Sequence, residues 1–113
     1  MIRVKRVYEK PTRDDGFRVL VDRLWPRGLT KERAALSLWL KDVAPSAELR
    51  KWFGHDPARW KGFQARYRKE LAGRKDALKL LRQKARERTV TLLYGARDEH
   101  NEARVLKKVL ESR

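Results

Sequence analysis

The hydrophobic positions near both ends of the chain follow strand spacing. Residues 2–8 alternate apolar with basic side chains, which is typical of a strand with one buried face. Residues 17–22 contain a continuous apolar run and predict a strand covered on both faces. Alternating leucines over residues 36–41 favour a third strand, although a helix fits that segment nearly as well. Residues 89–94 predict the last strand.

Between these strands the spacing changes to that of amphipathic helices. Thr30 and Ser46 are expected to cap two short helices. A longer helix starts at Asp56-Pro57, where the aspartate supplies the cap and the proline takes the first helical position. Gly73 is expected to end this helix. Its inward-facing residues are Trp60, Phe63, Tyr67 and Leu71.

Two further helices complete the pattern. One covers residues 75–88, and the last begins at Asp98 or Asn101, either of which suits a helix cap. The inward-facing residues are Leu78, Leu81 and Ala85 in the first, and Ala103, Leu106, Val109 and Leu110 in the second. Strands at both ends of a helical middle predict an α/β sandwich, formed as one domain over residues 1–113.

The connections between the predicted strands differ in length. The segment from the third strand to the last is long enough for a right-handed parallel crossover. Residues 9–16 are too few for a helical crossover, and Asp15-Gly16 is a turn signal. The residues alone therefore indicate an antiparallel hairpin between the first two strands.

Composition excludes several classes of protein. Hydrophobic residues make up 41% of the chain, which argues against disorder although 30 Lys and Arg oppose 15 Asp and Glu. The absence of cysteine excludes disulfides, thiol nucleophiles and Cys-containing zinc sites. His55 and His100 lie far apart in the sequence, so we expect no metal and no cofactor. No apolar run approaches a membrane span, which predicts a cytoplasmic protein without a membrane partner.

Two charged clusters follow predicted strands, at residues 22–28 and 94–101. Ligands of open α/β sheets bind beyond the carboxyl ends of the strands, so the clusters predict an anion pocket there. The ligand-binding candidates are Arg23, Trp25, Arg27, Tyr94, Arg97 and Asn101. The candidates for positioning and for acid–base catalysis are Asp22, Asp98 and His100. Structural bridges, a helix cap and a tryptophan folded over the core are the alternative roles for these residues.

The remaining positive charge is concentrated in two helices. Residues 57–88 hold 12 Lys and Arg against 3 Asp and Glu. A stripe at helical spacing, suited to a phosphate backbone, consists of Lys75, Lys79, Arg82 and Arg86. The leading hypothesis is binding, with turnover left open, of a phosphorylated or nucleotide-like small molecule. The alternatives are a nucleic-acid-binding module that uses this stripe and an adaptor for an acidic protein partner.

Four segments carry a resemblance to a known family: FRVLVDRLWPRG at 17–28, WLKDVAPS at 39–46, LRKWFGHDP at 49–57 and TLLYGARD at 91–98. With them the chain resembles the YeaO-like branch of the domain-of-unknown-function 488 family over nearly its whole length. The resemblance implies a small prokaryotic cytosolic α/β protein with a mainly parallel sheet. We therefore expect a small three-layer sandwich with a mainly parallel sheet of about four strands flanked by helices. The pairing of the first two strands stays open.

The resemblance also bears on the candidate site. Longer relatives carry an Asp-Val-Arg-like strand end, which is similar to Asp22-Arg23, and they carry cysteines where this chain has residues 94–101. The lack of those cysteines implies that no thiol mechanism operates here. Asp22, Arg23, Arg97 and Asp98 carry over as candidate positions without an assigned role.

Overall fold

The computed structural model describes residues 1–112 and contains a four-stranded parallel sheet and five α-helices. The strands are β1 (Ile2–Arg6), β2 (Phe17–Leu20), β3 (Leu38–Trp39) and β4 (Val90–Tyr94). The helices are α1 (Lys31–Ala34), α2 (Ala47–Phe53), α3 (Trp60–Ala72), α4 (Lys75–Glu87) and α5 (Glu102–Glu111). None of the helices in this range is long and apolar enough to cross a bilayer. The expected α/β sandwich with a mainly parallel sheet is confirmed.

The last strand of the sequence lies in the middle of the sheet, whose strand order is β1-β4-β2-β3. β4 pairs in parallel with β1 on one side and with β2 on the other, and Val90 lies opposite both Ile2 and Phe17. The hairpin indicated by Asp15-Gly16 is therefore wrong, because β1 and β2 are not neighbours. Most of β4 is buried, so its backbone groups need a strand on each side to be hydrogen-bonded.

Basic side chains of β1 hydrogen-bond to the segment that connects β1 to β2. Lys5 Nζ donates to the Lys10 carbonyl oxygen at 2.8 Å and to the Asp15 carboxylate at 3.0 and 3.1 Å. The Arg3 guanidinium donates to the Asp14 carbonyl oxygen at 3.2 Å. The link therefore lies across β1, which makes a parallel connection possible without an α-helix. Eight extended residues reach roughly 26 Å, enough to return along a short strand.

The two faces of the sheet are covered unequally. Along β2 and β4, Val19 and Leu92 point into a large core cluster, and Leu20 and Leu93 point into a small one. Helices α2 to α5 supply most of the other residues of the large cluster. The small cluster is covered by α1 and the loops that flank it. The result is a three-layer arrangement with one thick and one thin helical layer.

Most element boundaries agree with the sequence pattern. Thr30, Ser46 and Asp56 each accept a hydrogen bond from a backbone N–H of the following turn, at 3.1, 3.1 and 3.0 Å. The turn after Asp56 is a 3-10 helix, so α3 itself begins at Trp60. The strand interpretation of residues 36–41 is confirmed, although β3 has only two residues.

Candidate functional site

The two charged segments follow strands whose carboxyl ends lie at one edge of the sheet. Residues 22–28 follow β2. Residues 94–101 begin at the last residue of β4, the parallel neighbour of β2. The Gly95 N–H donates to Asp22 Oδ2 at 2.8 Å, which joins the two segments directly. The Arg6 guanidinium, at the end of β1, donates to the Gly95 carbonyl oxygen at 3.3 Å. Hydrogen bonds thus connect the segments at the carboxyl ends of β1, β2 and β4.

A pocket of about 510 Å³ opens at this edge, between the loop after β2 and helices α2 and α5. Its volume lies in the range of sites for small molecules and cofactors. The cationic side chains at its walls belong to Arg23, Arg27, Arg50 and Lys51, and the carboxyl groups to Asp22 and Glu102. Aromatic side chains and both histidines complete the lining. The pocket therefore combines positive charge, a carboxyl pair and flat apolar surfaces.

The structure brings most of the predicted site residues together. Those that line the pocket are Asp22, Arg23, Trp25, Arg27, His100 and Asn101. Tyr94, Arg97 and Asp98 lie outside its lining: Tyr94 packs against the large core cluster, and Arg97 is exposed. The placement of these residues is a structural fact, whereas their roles in binding or catalysis stay predictions.

Asp98 and Asn101 are engaged with the backbone at the start of α5. The side-chain Oδ1 of Asn101 accepts from the Arg104 N–H at 3.3 Å, and its Nδ2 donates to the backbone carbonyl oxygens of Asp98 and Glu99, both at 3.1 Å. The Asp98 carboxylate accepts from the His100 N–H at 2.9 Å. Of the two residues that could cap this helix, Asn101 does so, and both ends of its buried amide are occupied.

Two predicted residues contribute rings to the pocket. The Trp25 indole nitrogen donates to a carbonyl oxygen of its own loop at 2.7 Å, and its ring meets that of Trp39 edge-on at 5.4 Å. Trp25 therefore covers the small core cluster as well as lining the pocket. The His100 ring lies 4.8 Å from the Trp60 ring. Its Nδ1 is buried without a hydrogen-bond partner in the described part of the chain.

Glu102, the first residue of α5, faces Asp22 in the pocket. Burial raises the pKa of the Glu102 carboxyl well above its ordinary value, and the hydrogen bond and charge of Asp22 raise it further. A backbone hydrogen bond and the nearby Arg50 oppose this rise in pKa without cancelling it. Glu102 therefore keeps its proton to a higher pH than an isolated glutamate does.

This proton makes the stability of the fold depend on pH. Because the pKa of Glu102 is higher in the folded state, its contribution is complete below the ordinary value of 4.5 and is lost as pH rises through the folded value. Between pH 4.5 and the folded-state pKa of Glu102, the free energy of unfolding of the wild-type chain should fall by up to about 1.4 kcal/mol per pH unit. We expect Glu102→Gln to remove this slope, measured by urea unfolding at pH 5, 6 and 7. Glu99→Gln, on the exposed loop, should keep the wild-type slope. Equal slopes in the two variants would contradict the assignment of this pH dependence to Glu102.

Three charged pocket residues were not predicted as site residues: Arg50, Lys51 and Glu102. Arg50 and Lys51 lie on α2 between buried Leu49 and Phe53, so their pattern indicates only the solvated face of a short helix. Nothing in their spacing places α2 beside the loop after β2. Glu102 directly follows the second charged cluster, and extending that cluster by one residue would have included it.

Three residues of the basic stripe on α4 face solvent, and the fourth is hydrogen-bonded to α5. Lys75, Lys79 and Arg86 are exposed. Arg82 is half-buried, and its guanidinium donates to the carbonyl oxygens of Val109 at 2.9 Å and Leu110 at 3.3 Å, at the end of α5. Reversing the charge of Arg82 would therefore disturb the α5 terminus as well as the surface.

A larger and more open depression, of about 780 Å³, lies at the turn between α3 and α4. Arg23, Lys41 and Lys75 border it, and all three are exposed. Arg74 in the same wall donates to the Ala44 carbonyl oxygen and pairs with a glutamate of α3. Its described lining contains two aspartates, Asp42 and Asp76, but no aromatic ring. The smaller pocket is therefore the candidate site.

Comparisons with known proteins agree with the resemblance seen in the sequence. Residues 1–113 match the family model DUF488-N3i, described as the inactive DUF488-N3 subclade. The chain belongs to this subclade. It is 43% identical over 112 residues to uncharacterized protein YeaO of Escherichia coli (strain K12), covering 98% of this chain and 97% of that protein.

A second relative matches a shorter segment. Uncharacterized protein Rv3073c of Mycobacterium tuberculosis (strain ATCC 25618 / H37Rv) is 54% identical over 70 residues. That segment is 62% of this chain and 59% of the length of the mycobacterial protein. No solved structure matches the chain significantly.

Proposed function

We propose that this DUF488-N3i chain binds a small phosphate-bearing anion in the pocket at the carboxyl edge of its sheet. The observation that supports the proposal is the convergence of cations from two elements on one cavity. Arg23 and Arg27 come from the loop after β2, and Arg50 and Lys51 come from α2. Guanidinium groups are the side chains best suited to bidentate phosphate contacts.

Charge within the pocket favours an anionic ligand. Four Lys and Arg side chains line the pocket together with two carboxyl groups. The net charge of the lining is therefore positive. The surrounding chain has a formal charge of +15, which raises the local concentration of anions at low salt.

Binding without turnover is the form of this function that we favour. The matching subclade is described as inactive, and the chain has no cysteine that could serve as a nucleophile. Asp98 and Asn101, from the predicted polar set, are occupied with backbone hydrogen bonds. The pocket is also a better candidate than the α4 stripe, because Arg82 is engaged with the end of α5.

Arg50→Glu tests the proposal directly. The Arg50 side chain is exposed, so the change should cost little stability. Losing one charge-assisted contact and adding repulsion should weaken the affinity for inorganic phosphate and AMP at least about tenfold. Isothermal calorimetry and thermal shift would measure this.

The matched control is Arg68→Glu, which makes the same charge change on an exposed position of α3 outside the pocket. Its affinity for both probes should stay within about twofold of wild type, since screening is nearly complete beyond a Debye length. Equal losses in the two variants would indicate a general charge effect. If neither probe binds the wild-type chain, the proposed function is wrong.

A further inference from the structure

We propose that the Asp22–Glu102 pair makes the pocket selective for phosphate esters that carry hydroxyl groups, such as nucleoside monophosphates and sugar phosphates. This inference rests on the proposed anion-binding function and adds the group that the ligand must present besides its phosphate. In this arrangement the phosphate contacts the Arg50 side of the pocket and a hydroxyl donates to Asp22.

The hydrogen bonds already made by the pair determine what it can offer a ligand. Asp22 Oδ2 accepts from the Gly95 N–H at 2.8 Å, and Glu102 lines the same pocket. An ionised carboxylate has about four acceptor positions and no hydrogen to donate. Asp22 therefore still has acceptor capacity and offers a ligand no donor.

An acceptor-only surface discriminates between anions. The dianion of a phosphate monoester and sulfate bring only acceptor oxygens, so they gain from the cations and are repelled by the pair. A hydroxyl of the same ligand supplies the missing donor. Sites built to hydrogen-bond a hydroxyl reject analogues that lack it, because their buried polar atoms are left unpaired.

The shape of the pocket agrees with a ligand larger than phosphate. Its volume of about 510 Å³ leaves room beside a phosphate for a sugar or nucleoside. The partly exposed rings of Trp25 and His100 provide flat surfaces in the lining, whereas Phe53 and Phe63, only 6% and 2% exposed, belong mainly to the core. Tyr8 and Leu24, both exposed at the pocket, add apolar area. A ring bearing hydroxyls would use these surfaces together with the carboxyl pair.

The test compares AMP with an analogue that differs from it only in hydroxyl groups and with a phosphate ester that has no nucleoside. AMP, 2′,3′-dideoxy-AMP and methyl phosphate would be titrated into the unmodified chain at pH 8, followed by calorimetry and by tryptophan fluorescence. We expect AMP to bind at least about tenfold more tightly than its dideoxy analogue, the usual value of a matched polar contact. Equal affinity of AMP and dideoxy-AMP would overturn the inference and leave the proposed function standing.

A variant provides the second arm. Asp22→Asn should remove the preference for AMP over dideoxy-AMP, because the amide presents a donor where the hydroxyl needs an acceptor. It should bind methyl phosphate at least as tightly as wild type, since a negative charge has been removed. Glu99→Gln, exposed beside the pocket, is the control and should keep the preference. Retention of the preference in Asp22→Asn overturns the inference, and failure of all three ligands to bind overturns the proposed function as well.

Discussion

Asp15→Asn is expected to destabilise the fold by about 3 kcal/mol or more, the usual cost of breaking a buried ion pair. Asp15 is fully buried and accepts from Lys5 at 3.0 Å and from Arg18 at 2.5 Å. Arg18 is itself 4% exposed, so the neutral amide would leave a buried guanidinium without its counter-charge. Urea unfolding at pH 7 would measure the loss. Asp14→Asn, one residue earlier and exposed, should change stability by less than about 0.5 kcal/mol.

The same carboxylate predicts how the effect depends on pH. Burial alone would raise the pKa of Asp15, but hydrogen bonds from Thr12, Lys5 and Arg18 outweigh it and hold the pKa well below 3.8. Its contribution is therefore complete above the ordinary value and is lost as pH falls toward the folded value. The difference between wild type and Asp15→Asn should shrink by about 1 kcal/mol between pH 7 and pH 3. If the difference in unfolding free energy stays constant from pH 7 to pH 3, titration of Asp15 does not cause the loss of stability in acid.

The elements of this fold could be predicted because each has a local signal. The caps at Thr30, Ser46 and Asp56 and the apolar period of α3 depend only on neighbours a few residues away. The order of the strands has no such signal. The apparent turn at Asp15-Gly16 is real, since a 3-10 helix ends there, but it delivers the chain to the far side of β4. Which strand fills the centre is decided by burial of β4 on both faces, a property of the assembled sheet.

The candidate site was predictable in part for a similar reason. The carboxyl ends of parallel strands meet at one edge, so the segments after β2 and β4 had to be close if both strands were placed correctly. The contribution of α2 depends on how a helix packs against the sheet, which the residues around Arg50 do not indicate. Likewise, Glu102 follows Asn101 as an ordinary first-turn acid, and its proximity to Asp22, which raises its pKa, exists only after folding.

Gly16→Ala should be nearly as destabilising as the loss of Asp15, at about 3 kcal/mol from backbone strain and overpacking combined. Gly16 has φ 63° and ψ −125°, a conformation that residues with a Cβ rarely adopt. A Cβ there would also overlap the Thr89 carbonyl oxygen. That oxygen accepts from the Phe17 N–H at 2.8 Å, beside the first pair of β2 and β4, so relief of the overlap would separate the two strands where their pairing begins.

Gly28→Ala separates the two causes of this effect. Gly28 has a similar positive φ of 76°, but a Cβ at that position would meet no atom of the described residues within 4 Å. Gly28→Ala should therefore cost about 1 kcal/mol, from the backbone conformation alone. The excess loss in Gly16→Ala, measured by urea unfolding at pH 7, is then the part due to the contact with Thr89. If the two alanine variants lose equal stability, strand separation at Gly16 does not occur and the backbone conformation explains both.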